Sequence, residues 1–399
     1  MTPSREARAT SLEALLATRE IVVFCGSGGV GKTSTAAAAA LGAAVRLGGK
    51  VLVLTIDPAR RLADALGLEG LGNIERRVPD DVLRAAGLEP RGELYAAMLD
   101  TKRSWDDLVL RHAPNEETAY RILENSLYHN ITGRFVQSHD YIAMERLFDY
   151  HATGTYDLIV VDTPPTRNAI DFLEAPARMA EFFGGRLLRW LTMPYRIGGK
   201  RGARVVNFAS RPFYQMADRI LGSQFLQDIA EFFLNFQSMY DGFVARAQAV
   251  ELLLRDRRTS FVVVTTLEGA PLREARYFCE QLTVRDFHLG ALVLNKTLPP
   301  YLRSPDAARS AGVLRERCDA IASDLSKVGV DALVDTAATA RVLRTVGESF
   351  RGYAVVATRE AELREELARL PDAVAVVPAL EDDVHDVGGL ACIADHLLV

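Results

Sequence analysis

Short apolar runs alternate with longer stretches of helical periodicity along most of this chain. The runs are nearly continuous in β-branched and other apolar residues, which is typical of strands buried on both faces of a sheet. Strands that alternate with helices predict an α/β fold, a mostly parallel sheet flanked by helices. The seven predicted strands are Ile21–Cys25, Val51–Ile56, Leu94–Leu99, Leu158–Val161, Phe261–Thr266, Leu289–Leu294 and Val374–Val377.

Three long intervals between these strands predict helices: Asp100–Tyr156, Asp171–Arg258 and Pro305–Ala368. The second interval is rich in aromatic and Met residues at helical spacing. That pattern is typical of a subdomain core, and it also suits a groove for an apolar client or a membrane partner over residues 182–244. We therefore expect a sheet domain in two parts, 1–170 and 259–399, around a helical insert subdomain at 171–258.

The composition is that of an ordinary folded protein, with 49% hydrophobic and 25% charged residues in 399. The net charge of −5 gives no reason to expect nucleic acid as a partner. There is neither a secretory pattern at the N-terminus nor a run of 18 apolar residues. The four cysteines and seven histidines are scattered without metal-ligand spacing. We expect a cytoplasmic protein that associates with a membrane, if at all, only peripherally.

A glycine-rich loop links the first predicted strand to an alanine-rich stretch. Its residues read G-S-G-G-V-G-K-T and satisfy the GxxxxGK[ST] spacing of a phosphate-binding loop (P-loop). Backbone N–H groups at such a junction cradle phosphates, and the helix N-terminus adds its positive dipole end. We expect Lys32 to reach the β- and γ-phosphates and the Thr33 hydroxyl to bind Mg²⁺. The nucleotide-binding residues predicted here are Gly26, Ser27, Gly28, Gly29, Val30, Gly31, Lys32, Thr33 and Ser34.

Two acidic residues follow predicted strands. Asp57, in the sequence D-P-A-R, is placed to orient an attacking water, although it could also simply cap the next helix. Asp162 follows four apolar residues and matches the Walker B pattern, in which a carboxylate holds Mg²⁺, usually through water. We predict Lys32 and Asp57 as catalytic residues, and Thr33, Asp57 and Asp162 as the metal site.

The end of the sixth predicted strand favours adenine over guanine. Asn295 can pair with the N6 and N7 atoms of adenine at the same time. A GTPase would carry Asp two residues after Lys296, whereas Leu298 stands there. Pro378, after the last strand, begins a segment that either covers the base or forms a surface turn. ATP is therefore the predicted nucleotide.

The G-G-V-G-K-T loop, the D-P-A-R turn and the D-T-P-P-T turn together resemble the ArsA-type ATPases. That family comprises arsenite-pump and tail-anchored-protein-targeting ATPases, in the deviant Walker A class with MinD and ParA. The resemblance covers most of the chain and implies a P-loop NTPase sheet that hydrolyses ATP. It implies that Asp57 positions the hydrolytic water in switch I, that Asp162 belongs to switch II, and that Asn295 contacts adenine. It also implies a homodimer, or a heterodimer with a paralogous ATPase.

The chain departs from the family pattern at several positions. Ser27 stands where the signature lysine of the family reaches across the dimer to the phosphates of the partner. Gly-His of the second switch is replaced by Arg167-Asn168, and the zinc CxxC and the cysteines of the metalloid-binding branch are missing. Loss of such a cross-dimer cation can cost about 10³ to 10⁵ in rate. We expect another cation such as Arg60 or Arg167, a paralogue that retains the lysine, or slow hydrolysis.

The leading hypothesis is a Mg²⁺-dependent ATPase whose hydrolysis cycle changes the shape of a dimer. Three alternatives stay open. They are a client-binding chaperone or targeting factor, the energising subunit of an anion pump, and a nucleotide-binding scaffold with little hydrolysis.

Overall fold

Among the described residues of the computed structural model, eight strands form one sheet. Their order is β3-β4-β2-β5-β1-β6-β7-β8, and neighbouring strands are parallel except for the antiparallel pair β3–β4. All seven predicted strands are present, and the two-residue edge strand β3 is an addition that the pattern missed. The strands are β1 Ile21–Cys25, β2 Gly49–Thr55, β3 Arg76–Arg77, β4 Gly92–Met98, β5 Leu158–Asp162, β6 Thr259–Thr265, β7 Leu289–Thr297 and β8 Ala373–Pro378.

The structure describes most of the sheet domain and little of the predicted insert. The described residues are 11–56, 61–68, 70–126, 128–129, 136–164, 174, 175, 178, 232, 235, 239, 242, 244–328, 335–367, 369 and 371–399. Most of the predicted insert subdomain therefore lies outside them, and the division of the chain at 170 and 258 stays a prediction.

Helices connect the strands as the alternating pattern predicts. The α-helices are α1 Leu12–Thr18, α2 Lys32–Gly42, α3 Arg61–Ala65, α4 Asp80–Ala85, α5 Thr101–His112, α6 Glu116–Leu123, α7 Val136–Ala152, α8 Gly269–Val284, α9 Pro305–Glu316, α10 Cys318–Leu325, α11 Thr336–Leu367 and α12 Val387–Leu397. Residues 244–255 are also helical and lead into β6. No helix in the described ranges is both long and apolar enough to cross a membrane.

The sheet is buried on both faces, which explains why its strands read as continuous apolar runs. Alternate residues of β1 point to opposite sides: Ile21, Val23 and Cys25 pack in one core, and Val22 and Phe24 in the other. The first core is completed by α5, α6, α7, α8 and the helical residues 244–255. The second core is completed by α1, α2, α3, α4 and α12. Both cores therefore hold β1 within the sheet, and Val30 of the following loop packs in the second core.

The connections reverse direction at β1. The chain goes from β1 to β2 on one side, with β5 between them, and returns from β5 to β6 on the other side of β1. In open parallel sheets, ligands bind at the carboxyl ends of the strands where the direction of winding reverses. The fold thus predicts a site at the carboxyl ends of β5, β1 and β6.

The chain forms a helical layer after β7 and before β8, as the third helical interval predicts. Helices α9 and α10 pack on the 32-residue helix α11, with a small core of Cys318, Ala322 and Ala340. The Glu360 carboxylate on α11 accepts a 2.9 Å hydrogen bond from the Leu298 N–H. This bond ties α11 to the loop that follows β7, next to the predicted adenine contact.

Candidate functional site

The predicted phosphate-binding loop joins β1 to α2 at the carboxyl edge of the sheet. Gly26 follows β1 directly and lies against the Val264 carbonyl of β6. Val30 is 1% exposed and anchors the loop in the second core, whereas Gly28 and Gly29 are exposed. The loop is therefore fixed at its apolar residue and open at Gly28 and Gly29, as a cradle for an anion requires.

The end of the loop depends on a left-handed glycine. Gly31 has a φ of 86° and is the N-cap of α2. An added Cβ would overlap the Nδ2 atom of Asn295, so this position requires glycine for both conformation and space. Thr35 secures the first turn of α2, because its hydroxyl donates to the carbonyls of Gly31 and Lys32 at 3.0 and 2.8 Å. The resulting helix N-terminus faces the loop and carries the dipole end that favours phosphate.

Lys32 is the first residue of α2 and is only 6% exposed. Its charge acts on Cys25, the last residue of β1. Burial raises the pKa of the Cys25 thiol to about 12, and the Lys32 charge and a hydrogen bond with Thr163 oppose that shift. Asp162 adds a smaller effect that raises the same pKa. Lys32, Asp162 and Thr163 therefore lie together around the end of β1. Thr33 and Ser34, the next residues of α2, are partly exposed.

Asp162 ends β5 and is fully buried. Its Oδ2 atom accepts a 3.0 Å hydrogen bond from the Thr55 hydroxyl of β2, and its carbonyl accepts a 3.0 Å bond from the Ile56 N–H. The next residue, Thr163, donates its hydroxyl to the Phe24 carbonyl of β1 at 2.9 Å. The Asp162 carboxylate, which the sequence predicts as the Walker B residue, is thus held between β2 and β1, one strand from the phosphate-binding loop.

Asn295 and Pro378 lie on adjacent strands at the same edge. Asn295 is 6% exposed, and its Nδ2 atom donates a 2.7 Å hydrogen bond to the Val30 carbonyl of the loop. Its Oδ1 atom accepts a 2.9 Å bond from the Lys296 N–H. Because an amide side chain has two N–H donors and two acceptor lone pairs, one of each is left for another ligand. Pro378 ends β8 and pairs with Thr297 of β7.

Several predicted site residues lie outside the described residues, so their roles stay predictions. Asp57 is the most important of these, because it was predicted as both a catalytic and a metal residue. The candidate cations Arg60 and Arg167 are also outside the described ranges, as is the Pro165–Asn168 part of the second switch.

The described residues fit a nucleoside triphosphate with one divalent cation. Two buried hydroxyl oxygens near the loop, on Ser27 and Thr266, have no hydrogen-bond partner within the described part of the chain. The cradle of loop, helix N-terminus and buried Lys32 suits phosphate oxygens. No group of three or more His, Cys, Asp or Glu side chains that could hold a metal occurs among the described residues. The Thr33 hydroxyl and the Asp162 carboxylate are oxygen donors, the type that Mg²⁺ prefers, and proteins bind Mg²⁺ through one or two carboxylates together with substrate phosphates.

The structure also brings in residues that the sequence reasoning missed. Thr55 holds Asp162, and Lys296 donates to the Gly29 carbonyl of the loop at 3.3 Å. The sequence feature that could have identified both is a polar side chain at the carboxyl end of an apolar strand, close in sequence to a residue already predicted to belong to the site. Glu360 had no such signal, because it lies within a helix in which most of the other polar residues face solvent.

The fold and the site define a P-loop NTPase with a mostly parallel sheet. A family model described as anion-transporting ATPase matches residues 19–330, and the chain belongs to this ArsA ATPase family. The recognition from the loop, the two switch motifs and the late Asn is thereby confirmed, as is the α/β fold class.

The names of similar proteins agree with this family assignment. The chain is 26% identical over 310 residues to a protein of Prosthecochloris vibrioformis with the provisional name arsenical pump-driving ATPase, covering 74% of this chain and 64% of the relative. It is 23% identical over 384 residues to the ATPase BagA of Mycobacterium tuberculosis, covering 93% of this chain and 90% of the relative. It is 26% identical over 282 residues to the ATPase get3 of Aspergillus niger, covering 69% and 72%. The chain thus spans less than two thirds of the arsenical pump-driving relative.

Proposed function

We propose that the protein binds ATP with Mg²⁺ and hydrolyses it to ADP and phosphate. The observation that carries this proposal is the buried Lys32 at the N-terminus of α2, beside Asp162 at the end of β5. In-line attack by water develops negative charge on the transferred phosphoryl group. The loop N–H groups, the α2 dipole and the Lys32 ammonium are proposed to stabilise that charge without reorganisation during the reaction. The names of the relatives, all ATPases, support the same chemistry.

Mg²⁺ would be held by the Thr33 hydroxyl and the Asp162 carboxylate in the proposed site. It would neutralise charge on the β- and γ-phosphates. Asp57 is proposed to orient the attacking water. This assignment rests on the sequence motif alone.

Turnover of ATP by the purified protein tests the proposal, with Lys32→Ala as the main variant. We expect Lys32→Ala to reduce turnover by about 10²-fold or more, because a cation aimed at the transition state is lost. Lys327→Ala is the matched control, since Lys327 is a 71% exposed surface lysine paired with Asp324. Equal turnover by the wild type and Lys32→Ala would contradict the proposal. Omission of Mg²⁺ should abolish turnover in the wild type.

Adenine is the proposed base, contacted by Asn295 and by the segment at Pro378. The remaining N–H and lone pair of Asn295 are the complement of adenine N7 and N6. Competition of unlabelled ATP and GTP against a fluorescent ATP analogue tests the preference. We expect ATP to compete at about tenfold or more lower concentration than GTP, since an unpaired polar group in the site costs at least about 1.4 kcal/mol. Equal competition would contradict the assignment.

The protein is further proposed to work as a dimer with a paralogous ATPase. Ser27 carries a short neutral side chain whose hydroxyl oxygen is buried, so it cannot supply charge to a second subunit. A subunit that retains the signature lysine would supply that charge. Turnover of this chain alone and mixed with such a paralogue tests the pairing. Full Lys32-dependent turnover of the chain alone, with no gain on mixing, would instead favour a homodimer or a single active chain.

The work driven by this cycle is proposed to be client targeting or anion transport. The support is indirect: the names of relatives include an arsenical pump-driving ATPase and the ATPase get3. Residues 182–244 are the proposed client or membrane-partner surface. Hydrogen exchange with and without ATP tests whether nucleotide gates this segment. Unchanged protection over 182–244 would count against gating and favour a nucleotide-binding scaffold.

A further inference from the structure

Two consecutive side chains of β7 contact two consecutive carbonyls of the phosphate-binding loop. Asn295 Nδ2 donates to the Val30 carbonyl at 2.7 Å, and Lys296 Nζ donates to the Gly29 carbonyl at 3.3 Å. Adjacent side chains in a regular strand point to opposite faces of the sheet, so contacts from both to one loop are not expected of a regular strand. The contacts therefore indicate an irregularity in β7.

That irregularity is present at this point. Leu294 pairs with Val376 and Thr297 with Pro378, so three steps along β7 correspond to two along β8. The extra residue is a β-bulge, which re-aims side chains next to functional sites. Lys296 has a φ of 55°, in the left-handed region that non-glycine residues rarely adopt. This backbone conformation carries strain, and in return it places Asn295 and Lys296 on the same side.

The two contacts constrain the direction of the loop amides. A peptide unit is planar and trans, so its C=O and the following N–H point in opposite directions. Holding the Gly29 carbonyl toward β7 turns the Val30 N–H away from β7, and holding the Val30 carbonyl does the same for the Gly31 N–H. Amides with a fixed direction bind phosphate without first losing conformational freedom, which favours affinity.

We propose that Lys296 is a positioning residue that, together with Asn295, clamps the phosphate-binding loop in its anion-binding conformation. The proposal rests on the proposed ATP site and adds a second lysine to it. Lys296 acts through the loop carbonyl and not through the base, so its effect should be the same for any polyphosphate. The strained φ is the cost of that placement, because a relaxed strand would direct the ammonium elsewhere.

Binding of ATP and of inorganic tripolyphosphate, each with Mg²⁺, tests the clamp by calorimetry. We expect Lys296→Met to weaken both ligands by a similar factor, about five- to tenfold, as for one charge-assisted hydrogen bond. Lys296→Arg should restore most of the loss, because a guanidinium can also donate to the Gly29 carbonyl. Lys50→Met is the matched control, since Lys50 is a half-exposed lysine at the opposite, amino edge of the sheet.

The variant Lys296→Gly distinguishes an effect of Lys296 on ligand affinity from an effect on the stability of the fold. Glycine adopts a positive φ without strain, so this variant should unfold at the same or a higher temperature than the wild type. It should nevertheless bind both ligands about five- to tenfold more weakly. If Lys296 had only a structural role, Lys296→Gly would lower both the unfolding temperature and the ligand affinity, or neither of them.

Three results would overturn the clamp: wild-type affinity in Lys296→Met, a loss confined to ATP, or no rescue by Lys296→Arg. A loss confined to ATP would instead assign Lys296 to the base. Wild-type protein that binds neither ligand would contradict the ATP site itself, and the clamp with it. If the wild type binds both ligands and Lys296→Met binds them with the same affinity, the clamp would be contradicted and the ATP site would not.

Discussion

The Thr55 hydroxyl donates a 3.0 Å hydrogen bond to the Oδ2 atom of Asp162. The two residues are register partners on the adjacent parallel strands β2 and β5, and both are fully buried. β2 leads to the predicted first switch at Asp57, and β5 leads to the predicted second switch. The bond therefore fixes the starting points of the two switches relative to each other.

Thr55→Val should destabilise the protein, because it removes a donor to a buried carboxylate while keeping the shape of the side chain. We expect the free energy of unfolding to fall by about 1.5–3 kcal/mol, the range for a hydrogen bond to a charged group. Chemical denaturation at neutral pH measures this change. Thr55→Ser keeps the hydroxyl and should lose less. Equal losses in the two variants would show that the packing of the methyl group, and not the bond, is responsible.

Gly29→Ala and Gly31→Ala form a matched pair at nearly the same φ, 82° and 86°. Both substitutions strain the backbone by about 1–2 kcal/mol in the left-handed region. Only Gly31 has a neighbour in the way, the Asn295 amide, whereas a Cβ at Gly29 meets nothing within 4 Å. We therefore expect Gly31→Ala to lose ATP affinity much more than Gly29→Ala. Calorimetric titration with ATP compares them, and the opposite order would contradict the role of Asn295 against the loop.

A buried ion-pair network joins the helical residues 244–255 to α7. Arg246 contacts the Glu145 carboxylate, which is 1% exposed, and Arg246 Nη2 lies 2.6 Å from the Asp149 carboxylate. Arg246→Met should lower the free energy of unfolding by about 3–5 kcal/mol at neutral pH, because it leaves a buried charge without its partner. Arg255→Met is the control on the same helix. Its 40% exposed pair with Glu251 should contribute less than about 1 kcal/mol.

The loss in Arg246→Met should shrink at acidic pH. Burial raises the pKa of Glu145 above its ordinary value of 4.5, and Arg246 opposes that shift. Without Arg246 the folded-state pKa rises further, so the variant favours the protonated carboxyl more strongly. Protonation of Glu145 stabilises the folded state of the variant below pH 4.5, and this stabilisation is lost as the pH rises through the raised pKa. Denaturation curves between about pH 4.5 and 7 measure the difference, and a loss independent of pH would contradict this cause.

The cysteines should differ in reactivity according to burial. Burial raises the pKa of Cys25 and of Cys279 to about 12, whereas Cys392 is exposed. Alkylation requires an accessible thiolate. We expect iodoacetamide at pH 8 to modify Cys392 in the folded protein and to spare Cys25 and Cys279 until denaturant is added. Peptide mass spectrometry identifies the modified cysteines. Fast modification of Cys25 in the folded protein would contradict its burial at the end of β1, before the phosphate-binding loop.

Much of the fold could be predicted from the chain because local pattern and local structure coincide here. The run Ile21–Cys25 became β1 with the same bounds, since a short, mostly β-branched run followed by a glycine-rich turn favours a strand buried on both faces. Edge strand β3, Arg76–Arg77, is two exposed residues and carries no apolar pattern. It forms because it pairs with β4, which no local window contains.

The candidate site could be predicted in its parts but not in its contacts. The spacing of the phosphate-binding loop and the position of Asp162 follow from motifs whose chemistry needs those residues in that order. The positioning contacts do not. Thr55 and Asp162 are 107 residues apart, and Asn295 and Val30 are 265 apart. Sequence reasoning assigned Asn295 to the base because an amide suits adenine, and it could not foresee that the same amide holds the loop.

The amino-acid sequence by itself determined the seven apolar strands, the phosphate-binding loop, the lysine at the start of the helix that follows it, and the family. These features depend on side-chain periodicity and on glycine at defined spacings, which act within a few residues. The tertiary structure alone decided which strand ends meet and where β7 bulges. Because the bulge and the strand order arise from pairing between distant segments, only the folded chain places Lys296 on the loop and Thr55 on Asp162.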